Sequence, residues 1–194
     1  MTALDIYDYK EHLHRYGVWT AARAQRAFMT TAHIKQALDK IDLKREAFGL
    51  SMDMDASAFD EWHVKICNNL QSELRIISTE SYKPKKGKKV EFGRAAKIVN
   101  IYLKTTVVIP NCEKDDCNLI QVIHPPIDAI LLKCLANCER KILSKEQGLI
   151  TWTNMKQEVY TSIIDKLREH FQQSSLWKAE ACWKPEKEVS TKQL

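Results

Sequence analysis

The chain is poor in glycine and proline, with five of each in 194 residues. Turn-rich β architectures need both at their many reversals, so a strand-based fold is disfavoured from the outset. No apolar run approaches the roughly 20 residues needed to cross a bilayer. The N-terminus, MTALDIYDYK, is polar and acidic, unlike a secretory leader. Six cysteines without such a leader read as reduced thiols, so an intracellular, cytoplasmic protein is expected. Internal repeats and low-complexity domains are also lacking. What remains is an ordinary globular composition, 44% apolar and 28% charged, long enough to bury a core without disulfides or a metal. The net charge of +5 permits an anionic partner without demanding one.

Periodicity fills the chain with helices. A first helix is expected over 4–28, with Ile6, Tyr9, Leu13, Tyr16 and Ala24 inward and Gly17 as a weak point. Thr30 or Thr31 caps a second helix through Lys40, and 41–54 reads as a connection. A third helix runs from Asp55 or Ser57 to about Thr79, with Phe59, Trp62, Ile66, Leu70, Leu74 and Ile77 inward. A helix from Phe92 to Ile109 stops at Pro110, and 110–124 reads as a loop. Pro125-Pro126 open the next helix, which runs to Leu143 with Asp128 in its first turn. Thr151 or Thr153 caps a helix through Phe171, and a short helix carries Leu176, Trp177, Ala181 and Trp183. The expectation is all-α, about seven helices in one compact domain over 1–184, with a charged tail over 185–194.

Charge is unevenly spread. Between Lys83 and Lys97 there are seven Lys or Arg against one Glu. Lys85, Lys86, Lys88 and Lys89 lie in a loop that opens onto a helix start, and with Arg94 they form a candidate phosphate clamp. Arg94, Lys97, Asn100, Ile101 and Lys104 share one side of their helix by spacing. A solvated cationic stripe is the bland reading. A lysine shielded from water beside other cations is a nucleophile instead. Asp128 can simply serve a helix N-terminus, stabilise an oxocarbenium-like charge on a sugar, orient a water or relay a proton, and spacing does not choose among these. Cys112, Cys117, His124, Cys134 and Cys138 match no standard zinc spacing, and no metal or other cofactor is expected. Arg26 and His33 match the loose R-x4–6-H pattern of HEPN ribonucleases, one alternative. A nucleic-acid-binding protein without catalysis is another.

GRAAKIVNIYLK, a loop and then HPPIDAILLKC resemble the catalytic core of helix-hairpin-helix DNA glycosylases, in flavour the archaeal-type 8-oxoguanine branch. That family places a lysine in an apolar helix and a Pro-hydrophobic-Asp element about thirty residues on. Lys97 and Pro126-Ile127-Asp128, 31 residues apart, match those positions. The resemblance covers residues 83–143, and more weakly QSSLW, where Trp177 matches a base-contacting tryptophan. It implies that Lys97 and Asp128 are catalytic, that an abasic site is the product, and that strand cleavage can follow. It further implies a pocket for a flipped base, for which Trp19, Arg23, Gln25, Gln173 and Trp177 are the candidates, and a monomer acting on double-stranded DNA containing a modified base. Gln173 stands where the family has an acidic residue, which implies a substrate other than 8-oxoguanine; as a separate departure, KKGKKVEFG stands in place of the Leu-Pro-Gly-x-Gly hairpin. The chain is also similar to small bacterial defence glycosylases that remove glucosylated hydroxymethylcytosine from phage DNA.

Overall fold

The computed structural model describes residues 7–25, 28–80, 89–114, 116–172 and 174–182. Within them the chain is all-α. In order come α1 (Tyr9–Arg23), α2 (Thr31–Lys40), α3 (Leu43–Phe48), α4 (Ala56–Glu80), α5 (Phe92–Leu103), α6 (Asn118–Val122), α7 (Ala129–Asn137), α8 (Lys145–Gly148) and α9 (Gln157–His170). A π-helical turn, Lys104–Val108, extends α5, and 3-10 turns cover Ile109–Lys114, Trp152–Asn154 and Leu176–Cys182. The buried apolar side chains form one continuous cluster.

The architecture is built around α5. Every residue from Phe92 to Asn100 is buried, Arg94, Lys97 and Asn100 included. Its small residues let neighbours approach closely. A Cβ on Gly93 would sit 2.2 Å from the Trp152 carbonyl oxygen, and the Gly93 N–H donates to the Met155 carbonyl at 2.9 Å. On the other side α1 packs through Gly17, whose absent Cβ makes room for Thr106 and Tyr102. Gly17 is therefore a contact point in an unbroken helix, where sequence suggested a break.

The same packing corrects the inward face of α1. Tyr9 and Tyr16 are exposed, while His14, Gly17, Val18, Ala21 and Ala22 are buried. Aromatic bulk suggested one face, but close approach to α5 selects small residues, so the helix is rotated. The His14 Nδ1–Tyr102 hydroxyl bond, 2.8 Å, fixes that rotation.

Thr30 caps α2 through the His33 N–H. Asp55 accepts from the Ala58 N–H before α4, and the apolar stripe predicted for α4 is buried except Trp62, which is half-buried and donates Nε1–H to Glu46. Residues 41–54 are not a plain connection, because they include α3. Likewise 110–124 holds a 3-10 turn and α6. Pro110 has no N–H for the Thr106 carbonyl; the helix widens into a π turn here, with the Ile109 N–H on the Lys104 carbonyl. The helix expected from Pro125 begins later, at Ala129, and ends at Asn137 rather than Leu143. The prolines form its extended lead-in. The helix expected from Thr151 or Thr153 starts at Gln157 after the Trp152–Asn154 turn. Among the described residues there are nine α-helical segments, against about seven expected; the additions are short turns without a period of their own.

Candidate active site

Lys97 and Asp128 meet. Lys97 Nζ donates to Asp128 Oδ2 at 3.1 Å, with side chains 11% and 23% exposed. The solvated stripe is thus excluded: Arg94, Lys97 and Asn100 are all buried. Buried polar groups need partners, and each has them.

Asp128 is the N-cap of α7, one residue outside the helix rather than in its first turn. Its Oδ1 accepts from the Ile130 and Leu131 N–H groups at 3.0 and 2.9 Å. Oδ2 is left for Lys97. The carboxyl group thus accepts from three donors, and Asp128 also lines a cavity. The Lys97 ammonium also lies 4.4 Å from the centroid of the Trp152 ring, an attractive cation–π contact. Trp152 is placed by the close approach at Gly93.

Asn100, one turn beyond Lys97, pins the loop that carries Asp128. Its Nδ2 donates to the Pro125 carbonyl at 2.9 Å and to the Tyr160 hydroxyl at 2.8 Å. Its Oδ1 accepts from His63 Nε2 at 2.7 Å. Tyr160 then donates to His124 Nδ1 at 3.0 Å, and His124 Nε2 donates to Asp60 Oδ1 at 2.9 Å. Arg168 forks onto both Asp60 oxygens. Burial lowers the pKa of His63 to about 3, with the nearby His124 adding to it, and burial lowers that of His124 as well. Burial opposes ionisation of Asp60, but hydrogen bonds from His124 and Arg168 overcome it, so its pKa is lowered. The chain of bonds anchors residues 124 and 125 immediately before the Pro126-Ile127-Asp128 element.

Lys97 and Asp128 line a cavity of about 320 Å³. Thr20 of α1, Ala24 just after its end, Ile101, Pro126 and Leu131 form its walls, and Lys104 with Glu180 closes its far end. Lys104 Nζ is 2.5 Å from Glu180 Oε2. Beyond that pair a second cavity, about 390 Å³, is lined by Val108, Ile109, Cys112, Trp177 and Ala181.

The other candidates fall in three places. Trp177 lines the second cavity. Trp19 and Arg23 lie outside the pocket: Trp19 is 45% exposed, stacked on Tyr16, and the Arg23 guanidinium sits 4.8 Å above its ring. Helical geometry explains this, because Thr20 and Ala24 occupy the cavity-facing positions beside them. Gln25 is buried and accepts from Arg94 at 3.2 Å, and its Nε2 has no partner among the described residues. Arg94 is a structural clamp rather than a free phosphate contact. Its guanidinium lies over Phe28 and donates to Gln25 and to the Lys89 carbonyl; burial lowers its pKa. Lys89 is exposed. Lys85, Lys86, Lys88 and Gln173 lie outside the described residues, as does Arg26 of the ribonuclease alternative. His33 is bonded to the Thr30 hydroxyl.

Sequence reasoning missed Trp152 and Glu180. Neither has a periodic or motif signal; each reaches the site only through a chain reversal. Among the described residues, no cluster of His, Cys, Asp and Glu could hold a metal ion, and no helix is long and apolar enough to cross a membrane. Comparisons with protein-family models, curated proteins and solved structures give no match.

Proposed function

We propose that the protein is a DNA glycosylase that flips a modified base out of the duplex and excises it, leaving an abasic site. The observation that carries this reading is the Lys97–Asp128 pair, 3.1 Å apart at one end of a cavity of about 320 Å³. Its apolar walls suit the faces of a base. The deoxyribose enters at the Lys97–Asp128 end. As the glycosidic bond lengthens, positive charge grows on the sugar, and the fixed Asp128 carboxylate stabilises it. Lys97 passes a proton to Asp128 and attacks C1′, or stays an ammonium while water attacks. The first course gives a Schiff-base link and opens the way to strand cleavage. The second cavity provides room for a bulky substituent on the base, which favours a glucosylated hydroxymethylcytosine in phage DNA over a small lesion.

The test is base release from duplexes carrying 8-oxoguanine, from unmodified DNA and from phage DNA containing glucosylated hydroxymethylcytosine, with borohydride to trap a covalent adduct. We expect release from the glucosylated DNA, lost in Lys97→Ala and Asp128→Asn. A trapped adduct absent from Lys97→Ala identifies the lysine as nucleophile. Full activity in either variant removes that residue from the mechanism, and no release from any substrate refutes the proposal.

A further inference from the structure

Two carboxyl groups line the same cavity in opposite environments. Asp128 accepts three hydrogen bonds, two from backbone N–H groups and one from Lys97. Glu180 accepts one, from Lys104 on Oε2, while its Oε1 is shielded from solvent and has no partner among the described residues. An ionised oxygen left without a donor in such a place is costly, whereas a protonated one is a donor awaiting an acceptor. Burial raises the Glu180 pKa; Lys104 opposes this, and the nearby Asp128 charge adds to it. A carboxylate with three donors beside a carboxyl that lacks one divides base from acid.

The placement suits that division. Lys97 and Lys104 are seven residues apart on one helix, an axial separation of about 10 Å. Asp128 is held by the first and Glu180 by the second, with Ile101, Pro126 and Leu131 between them. A nucleoside whose sugar lies at Asp128 extends its base toward Glu180. The terminal torsion of a glutamate is soft, so a small turn presents Oε1 to the cavity.

We infer that Glu180 is the general acid that protonates the departing base, a role that rests on the glycosylase reading above. The proton moves from the Glu180 carboxyl to a ring nitrogen or carbonyl oxygen of the base. The C1′–N bond breaks with its electron pair going to the base, which leaves neutral. The nucleophile bonds to C1′: either the Lys97 amine, freed by passing one proton to Asp128 and left as a cationic secondary amine, or a water, whose proton goes to Asp128. Solvent then reprotonates Glu180. Lys104 keeps the carboxyl in place.

Single-turnover base release is measured on the glucosylated hydroxymethylcytosine DNA for the wild type, Glu180→Gln and Lys104→Met, with thermal unfolding of each. General acid catalysis contributes about 10²- to 10⁴-fold. Glu180→Gln is therefore expected to slow the chemical step by at least about 100-fold, with KM within about threefold and the unfolding temperature unchanged. Lys104→Met loses the hold on the carboxyl but keeps the acid, so it is expected to slow the step by less than Glu180→Gln. The wild-type step is also expected to slow in D2O, a readout that needs no variant to fold. If the wild type releases base while Glu180→Gln keeps more than a tenth of its rate, or if D2O has no effect, the acid is overturned and the glycosylase reading stands. If the wild type releases no base, both fall together.

Discussion

Gly93→Ala is the sharpest test of how the site is assembled. The new Cβ would lie 2.2 Å from the Trp152 carbonyl oxygen and 2.9 Å from the Met155 Cβ. The first of these is backbone, so no rotamer change relieves it. The Trp152–Asn154 turn must retreat by about 1 Å or more to restore van der Waals contact, at a cost typical of overpacking, about 1–3 kcal/mol. The retreat also stretches the Gly93 N–H bond to the Met155 carbonyl, now 2.9 Å, worth about 1 kcal/mol. Alanine's better helix propensity returns less than about 1 kcal/mol, because position 93 is in the first turn of α5. The net loss is about 2–3 kcal/mol. For a chain of this size that lowers the unfolding temperature by about 4–12 °C. Trp152 moves with the turn and leaves Lys97, so base release should fall even below the unfolding range. Calorimetry or circular dichroism reads the first effect and the base-release assay the second. An unfolding temperature within 1 °C of the wild type would refute the reasoning.

Three further outcomes follow from the same geometry. Asp128→Asn keeps an N-cap oxygen for α7 and removes the charge, so stability should change by less than about 1 kcal/mol while activity is lost; Asp128→Ala loses the cap as well and should cost a further ~1 kcal/mol in urea unfolding. Asn100→Leu strands the Pro125 carbonyl and the His63 ring nitrogen in the core; a loss of about 3 kcal/mol is expected, with base release reduced even where the variant is folded, and wild-type stability would remove Asn100 as the anchor of the Asp128 loop. Stability should also fall with acid. The folded pKa of His63 is lowered to about 3, so below about pH 6.5 the unfolded chain takes up a proton that the folded one refuses. The contribution is fully present above pH 6.5 and is lost as pH falls; between pH 7.5 and 5 it amounts to about 2 kcal/mol, read from urea midpoints at the two values, and equal midpoints would contradict it.

The primary sequence by itself settled the class of the fold and most of its long helices. Scarce glycine and proline excluded a turn-rich architecture, and the stripe from Phe59 to Ile77 and the long segment from Phe92 without alternation are local patterns that read as helix. It also brought forward Lys97 and Asp128, through the resemblance of their two segments to a glycosylase core, although a carboxylate at a helix start is common. Tertiary structure alone decided that they touch, since their 31-residue separation is closed by the Asn100–Pro125 bond and the turn at Asp128. It decided the face of α1 too, where close packing on Thr106 and Tyr102 overrode aromatic periodicity and moved Trp19 and Arg23 out of the pocket. Trp152 and Glu180 belong to short 3-10 turns whose position depends on contacts far along the chain. Short turns have no repeating pattern for a sequence to display, so their place in the site emerges only when the core is packed.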